Sequence, residues 1–323
     1  MLKRYFHMFP YELVERGSKI ILYGAGEVGR TFAQQLLENR YCEIVAIVDK
    51  NHENVKLVAG IEVHSPKVIN ELTFDKVVVA VRNDKKSILK DLSALGVAEN
   101  IVVSGEYSCY EDGRASSTIE ADIVSNVFMT LGIDKPSYID VGACHPHWAS
   151  NTMSFYEAGS RGINIEPNID LRKEFEEYRP EDTNLFIGVS CNSGEGKFYK
   201  SENVYLSSFS VPAIEWAKTH HNAKYNDYVV VPLMTLNEVV EKYADGVFPD
   251  FLDIDVEGLD AEILRSTDFS KSSPKVILVE GSPKAFNEIL MDKDCEGGGY
   301  TPYCIISYNT IYLRNDVMQK LLF

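Results

Sequence analysis

Two short runs pair a strand with a residue type that binds ligands. Tyr138-Ile139-Asp140-Val141-Gly142-Ala143 reads as a buried strand passing into a glycine turn, where a backbone can approach a ligand closely. Gly162-Ile163-Asn164-Ile165-Glu166-Pro167 reads as a second strand ending in a carboxylate. α/β enzymes hydrogen-bond the two hydroxyls of a ribose from that position. A glycine turn and a ribose-binding acid describe a nucleoside pocket. No phosphate-cradling GxxxxGKS run accompanies them, so the pair favours an adenosine-type ligand without a pyrophosphate, and S-adenosylmethionine (SAM) is the candidate.

A second constellation is acidic. In Phe251-Leu252-Asp253-Ile254-Asp255-Val256-Glu257-Gly258, strand alternation points Asp253, Asp255 and Glu257 one way. Three carboxylates on one face repel unless something positive joins them or the run leaves the strand. The pattern therefore predicts a strand ending near Asp255, with Glu257 on the loop. Val279-Glu280-Gly281 ends the next strand, so Asp255, Glu257 and Glu280 can converge where ligands bind in open α/β sheets. Methyl transfer from a sulfonium needs mainly orientation. A hydroxyl acceptor must also lose its proton, to a carboxylate, to a histidine, or through a divalent cation that acidifies it. Oxygen-only ligands suit Mg²⁺ or Mn²⁺, which makes Asp255, Glu257 and Glu280 the candidate metal ligands. Asp260 is accounted for by capping the following helix, Leu259 to Leu264.

Gly24-x-Gly26-x-x-Gly29 with Asp49 is a dinucleotide fingerprint, with a strand before it and a helix after. Alone it suggests an NAD enzyme. The unit around it has about three to four strands rather than the six of a full Rossmann domain. The Tyr-x-x-x-Lys of sugar epimerases is also missing, since Tyr41 is followed four positions later by Val45. Two readings stay open: a module that docks a nucleotide or nucleotide-linked sugar through Gly24, Gly26, Gly29 and Asp49, and a scaffold that binds nothing. His145 and His147 follow the Asp140 loop. His-x-His is a weak metal signal. His145 reads either as a general base or as packing beside Pro146 and Trp148. His220-His221 reads as a solvated loop, and Met153, Phe155 and Tyr156 as core.

These residues need elements to hold them. The first domain strings together strands at Lys19–Tyr23, Ile44–Val48, Val77–Val81 and Asn100–Val103. Its helices run from the glycine turn through Leu37, from a Ser65-Pro66 start, and from about Lys85 to Leu95. Positions 106–116 collect turn formers and read as a linker, and Ser117 with Glu120 forms a capping box. Candidate strands of the second domain are Ser137–Val141, Gly162–Glu166, Asn184–Val189, Phe251–Asp255 and Lys275–Glu280. A pair at Tyr303–Ser307 and Thr310–Arg314 follows, and its two-residue connection requires a tight antiparallel hairpin. The expected domains are a small Rossmann-like α/β module at 1–110 and a larger α/β domain at 117–323. The larger one has a mostly parallel sheet with a C-terminal antiparallel hairpin, the pattern of class I (Rossmann-like) methyltransferases.

Composition narrows the partners. The 323 residues carry 32 Lys+Arg against 48 Asp+Glu, a net charge of −16 that repels phosphate backbones, so no nucleic-acid substrate is expected. Six scattered cysteines without a CxxC spacing read as reduced thiols of a cytoplasmic enzyme. The start of the chain does not read as a signal peptide, and no apolar stretch is long enough to span a membrane.

The motifs at 138–143, Ser150-Asn151-Thr152, 162–167, Arg179-Pro180 and 251–258 resemble FkbM-type SAM-dependent methyltransferases over residues 117–323. So do the lead-in Val229-Val230-Val231-Pro232-Leu233 with Thr235-Leu236 and the ending Tyr308-Asn309-Thr310-Ile311-Tyr312-Leu313. That resemblance implies O-methylation of a carbohydrate hydroxyl, on a nucleotide-linked sugar or a glycan, capsule or lipopolysaccharide precursor. It implies Asp140, Gly142, Ala143, Asn151, Glu166, Pro167, Ser190 and Asp253 around SAM, with Asp255, Glu257 and His145 as catalytic candidates facing the acceptor. It also places Ser207-Ser208-Phe209-Ser210 near the acceptor pocket, where a plain loop is the other reading. Where many relatives have a second glycine turn, this chain has Cys144-His145-Pro146-His147-Trp148. The expected partner is a small-molecule or glycan substrate, with homo-oligomer formation left open. The rival functions are an NAD(P)-dependent sugar oxidoreductase run by the first domain and a non-catalytic nucleotide-binding protein.

Overall fold

The computed structural model describes residues 5–82, 85–105, 109–111, 118–306 and 308–322. Linker positions 106–108 and 112–116, the expected cap Ser117 and the strand end Ser307 lie outside them. The chain divides into two compact units, one of residues up to Asp112 and one spanning Gly113–Leu321.

The amino-terminal unit is a six-stranded sheet. Its order is Leu57–Val58, Ile61–His64, Glu43–Val48, Lys19–Tyr23, Lys76–Val79, Val102–Val103. All neighbours pair in parallel except the first two. That antiparallel hairpin was not anticipated, because two- and four-residue strands broken by Glu62 and His64 leave no apolar run. Val77–Val79 is fully buried, as a run of valines covered on both faces should be. Part of the expected linker is paired backbone: Cys109–Glu111 lies antiparallel to Tyr5–His7.

The second unit is built on a seven-stranded sheet. Its strands are β1 (Tyr138–Val141), β2 (Gly162–Ile165), β3 (Thr183–Leu185), β4 (Phe251–Ile254), β5 (Val276–Glu280), β6 (Tyr300–Ile306) and β7 (Asn309–Arg314). The order is β3-β2-β1-β4-β5-β7-β6. β1 to β5 are parallel, while β7 runs antiparallel to both β5 and β6. This is the Rossmann-like methyltransferase arrangement, a parallel sheet finished by a hairpin. Strand order reverses between β1 and β4, so the ligand crevice belongs at their carboxyl ends.

Alternation divides this sheet into unlike faces. Ile139, Val141, Ile163, Ile165, Leu252 and Ile254 join one apolar core with Val239, Leu264 and Leu290 from the covering helices. On the other face, Asn164, Asp140 and Asp253 stand side by side in register on β2, β1 and β4, each at most 4% exposed.

Two expectations change here. The predicted strand Asn184–Val189 is two pieces: β3 stays in the large sheet, and Gly188–Val189 joins a separate sheet with Tyr225–Met234 and Gly194–Ser201. The long strands of that sheet were missed because Pro232, Gly194 and Gly196 interrupt their pattern. The cap of helix Ile119–Thr130 is Thr118, whose side chain accepts from the N–H of Ala121. Thr235 and Glu238 form a complete capping box. Among the described residues, no helix is long and apolar enough to cross a membrane.

Candidate active site

The crevice is made by backbones that touch. Asp255 N–H donates to Val141 O at 3.0 Å and Gly142 N–H to Ile165 O at 2.9 Å, which joins the loops leaving β1, β2 and β4. Gly142 has φ +84°, and a Cβ there would lie 1.8 Å from the carbonyl oxygen of Asp255. Only glycine lets the β1 turn and the β4 turn share that space. Above them lies a cavity of about 700 Å³, counting its open mouth. Its polar wall includes Gly142, Cys144, Glu166, Asp255 and Glu257, and its apolar wall includes Val189, Phe198 and Phe209.

Glu166 is the best-organised acid in the cavity. Its Oε2 accepts from Cys144 N–H at 2.9 Å and its Oε1 from Asn168 N–H at 2.6 Å. A carboxylate has room for about four such bonds, so one acceptor position on each oxygen remains. Burial pushes its pKa up to about 7, against the downward pull of the two N–H donors.

The acidic run splits in two. Asp253 stays in the sheet beside Asp140, and its Oδ2 accepts from Asn151 Nδ2 at 2.9 Å. Thr118 in turn donates to Asn151 Oδ1, and Thr152 to Asp140 Oδ2, both at 2.6 Å. Burial raises the pKa of both Asp140 and Asp253. Asp140, Ala143, Asn151, Ser190 and Asp253 are not among the residues on the cavity wall, whereas Gly142, Glu166 and Pro167 are. Of the first group, Asp140, Asn151 and Asp253 belong to a buried hydrogen-bonded set at the ends of β1 and β4.

Beyond the strand end, Asp255, Glu257 and Glu280 converge, with one carboxylate oxygen of each within 4.8 Å of the others. Burial raises the Glu280 carboxyl, and its contact with Asp255 pulls it back down. Burial, then Glu280, holds Asp255 well above the carboxylate range, and the same two causes bring Glu257 to about 7. Glu257 has a left-handed backbone, φ 55°, strained for a non-glycine residue. The loop is pinned from two sides. Ser208 Oγ donates to Glu257 O at 3.0 Å, and Asp260 accepts from the N–H groups of Val256 and Gly258, each at 3.2 Å. Asp260 therefore holds the acidic loop, and it also stands as an acid in the first turn of its own helix, as expected; the N-cap of that helix, Leu259, makes no side-chain bond. A second cavity, of about 580 Å³ counting its open mouth, is lined by Asp260, Glu280, Ser282, Ile305 and Tyr308. The carboxylates thus stand between two cavities. Ser207, Ser208 and Phe209 line the first of these.

His145 is placed differently from a general base. Its Nδ1 accepts from the N–H groups of His147 and Trp148 at 3.0 and 2.9 Å, and Nε2 lies 3.1 Å from Glu174. Its lone pair is thus occupied and it is absent from the cavity wall. His220 and His221 end helix Val211–His221 rather than a loop, with His220 stacked on Trp216. Arg179, seen in the sequence only as part of a motif, is a fully buried hub. It donates to Asp182, Tyr138, Thr152, Asn164 and the carbonyl of Pro146. Its spacing carries no signal of this, because the partners come from five separate positions in the chain.

In the amino-terminal unit, Gly24, Gly26, Gly29 and Asp49 meet in one turn. A Cβ on Gly29 would lie 1.9 Å from Gly24 O, while Gly26 faces open space. Asp49 Oδ2 accepts from Ala25 N–H at 2.7 Å.

Residues 140–296 match the family model described as the methyltransferase FkbM domain, and residues 16–103 match the one described as C2185-like, N-terminal. No curated protein matches the chain.

Proposed function

We propose that this FkbM methyltransferase domain methylates a carbohydrate hydroxyl, using SAM in the cavity above Gly142 and Glu166. The observation that carries the proposal is the carboxylate cluster standing between that cavity and the one at Tyr308. The first cavity suits an adenosine: Glu166 offers two acceptor positions for a ribose, and Val189, Phe198 and Phe209 offer an apolar wall for a base. SAM supplies an electrophilic methyl group on a sulfonium. The chain's own residues then have three tasks. Glu166 and the Gly142 turn hold the nucleoside. The second cavity seats the acceptor with its hydroxyl toward Asp255, Glu257 and Glu280. One of these acids takes the hydroxyl proton as the oxygen gains the methyl. A carboxylate poised near the working pH suits that task, and Glu257 meets it. The acidic lining disfavours phosphate at the reacting end. The exposed ring of Tyr308, 80% accessible, offers a face for the apolar side of a sugar.

Thermal-shift titration on the full chain tests the reading. SAM and S-adenosylhomocysteine (SAH) should raise the melting temperature by mass action. Stabilisation by NAD(H) and not by SAM would instead favour an oxidoreductase run by the amino-terminal unit. The same three acids are oxygen ligands that suit Mg²⁺ or Mn²⁺. Activity unchanged by EDTA would leave proton transfer to the carboxylates as their role, and activity lost and restored by the metal would assign them as its ligands.

A further inference from the structure

The segment 144–149 begins at Cys144, which lines the nucleoside cavity. Cys144 and Ala149 both adopt left-handed backbone, φ 46° and 54°, which side-chain-bearing residues avoid. Yet Cys144 lines the cavity and supplies one of the two N–H groups that orient Glu166. Something must hold this shape. Arg179 anchors the carbonyl of Pro146 at 3.2 Å, but an arginine has only donors and cannot satisfy the N–H groups that follow. His145 does so. Its Nδ1 takes both the His147 and the Trp148 N–H, as an Asn or Asp side chain does at the start of a turn. Nε2 reaches back 3.1 Å to Glu174 on helix Arg172–Tyr178. With Nδ1 accepting twice, the ring is fixed as the neutral tautomer that carries its proton on Nε2.

We propose that His145 is a positioning residue of the nucleoside cavity, which clamps the 144–149 loop so that the Cys144 N–H can orient Glu166. The inference rests on the SAM reading of that cavity. Protonating Nδ1 would remove the acceptor for both N–H groups, so the clamp works only while the ring is neutral. The groups facing the ring are Glu174 from the helix and His147 and Trp148 from the loop, with Tyr178 6.4 Å away. Burial keeps the pKa below the ordinary histidine value despite Glu174, so the clamp holds at neutral pH and opens in acid.

The experiment is calorimetric titration of the full chain with SAH between about pH 5 and 8, for wild type, His145→Ala and His145→Asn. Loss of a turn cap predicts about tenfold weaker binding for the alanine variant. Asparagine can accept the same two N–H groups and does not titrate. It should therefore restore binding to within about twofold, with one proton fewer in the pH dependence than wild type. Wild-type affinity in the alanine variant would overturn the proposal. So would failure of asparagine to rescue, or an asparagine profile that keeps the full wild-type pH dependence. If wild type itself binds no SAH, the SAM reading falls first and takes this inference with it.

Discussion

Glu166 gives the sharpest quantitative test of the cavity. Its carboxylate is held by two backbone N–H groups and keeps two acceptor positions for a ribose, but its pKa is about 7. If the ionised acid is the binding form, apparent affinity scales with its ionised fraction. At pH 5 about one molecule in a hundred is ionised, so SAH should bind about 100-fold more weakly than at pH 9 from this group alone. In Glu166→Gln the amide nitrogen must face either Cys144 N–H or Asn168 N–H, donor against donor, and the charge is gone. Loss of a charge-assisted bond, about 1.5–3 kcal/mol, predicts roughly 10- to 100-fold weaker binding at pH 8, with the step near pH 7 removed. Calorimetry with SAH across this range reads both effects. A wild-type affinity that is flat from pH 5 to 9, or a glutamine variant that binds like wild type, would refute the reasoning.

The fold should respond to pH in the opposite sense. Glu166, Glu257 and Asp260 have pKa values raised to about 7, 7 and 6, so the folded state binds more protons than the unfolded one in this range. Their contribution is fully present below the unfolded carboxylate values and is lost as pH rises through 6 to 7; melting curves of the unliganded protein should show that decline while the SAH-induced shift grows. Glu257→Gln should leave SAH binding near wild type and lower methyl transfer by about 100-fold or more, and joint loss of both would make Glu257 structural. Gly142→Ala places a Cβ 1.8 Å from Asp255 O; the forced shift of about 1 Å should cut turnover about 100-fold, and a fully active alanine enzyme would show that the two loops move freely. Arg179→Met strands the buried Asp182 carboxylate, whose partner lies 2.9 Å away, and urea unfolding should show a loss of about 3–5 kcal/mol.

The parts of the site that were legible in the sequence are those in which chemistry and local geometry coincide. A glycine after a strand and an acid after its neighbour mark the β1 and β2 ends. Gly142 is required by contact with Asp255, and Glu166 is held by N–H groups of its own and the adjacent loop. Most strands and the final hairpin were legible for the same reason. Legibility ended where a residue's role depends on distant partners. Arg179 gathers groups from five separate positions, and the type of His145 allowed both a base and packing beside Pro146 and Trp148. The two N–H groups filling its Nδ1 come from the folded loop, not from a spacing. The sheet of Gly188–Val189, Tyr225–Met234 and Gly194–Ser201 was hidden by its proline and glycines.

The acidic run shows why a correct local rule can still misassign residues. Period-two alternation puts Asp253 and Asp255 on one face only while the chain remains a strand, and β4 ends at Ile254. Asp253 is therefore bound by the register that sets it beside Asp140, and it becomes part of a buried polar brace. Asp255, one step past the end, is freed from that register. Its N–H still bonds Val141 O, but its side chain joins Glu280 from the next strand. Like charges that would have repelled along one strand are thus dispersed into two environments. One is braced by Asn151. In the other, burial and mutual repulsion raise the carboxyls of Asp255, Glu257 and Glu280, which border the cavities.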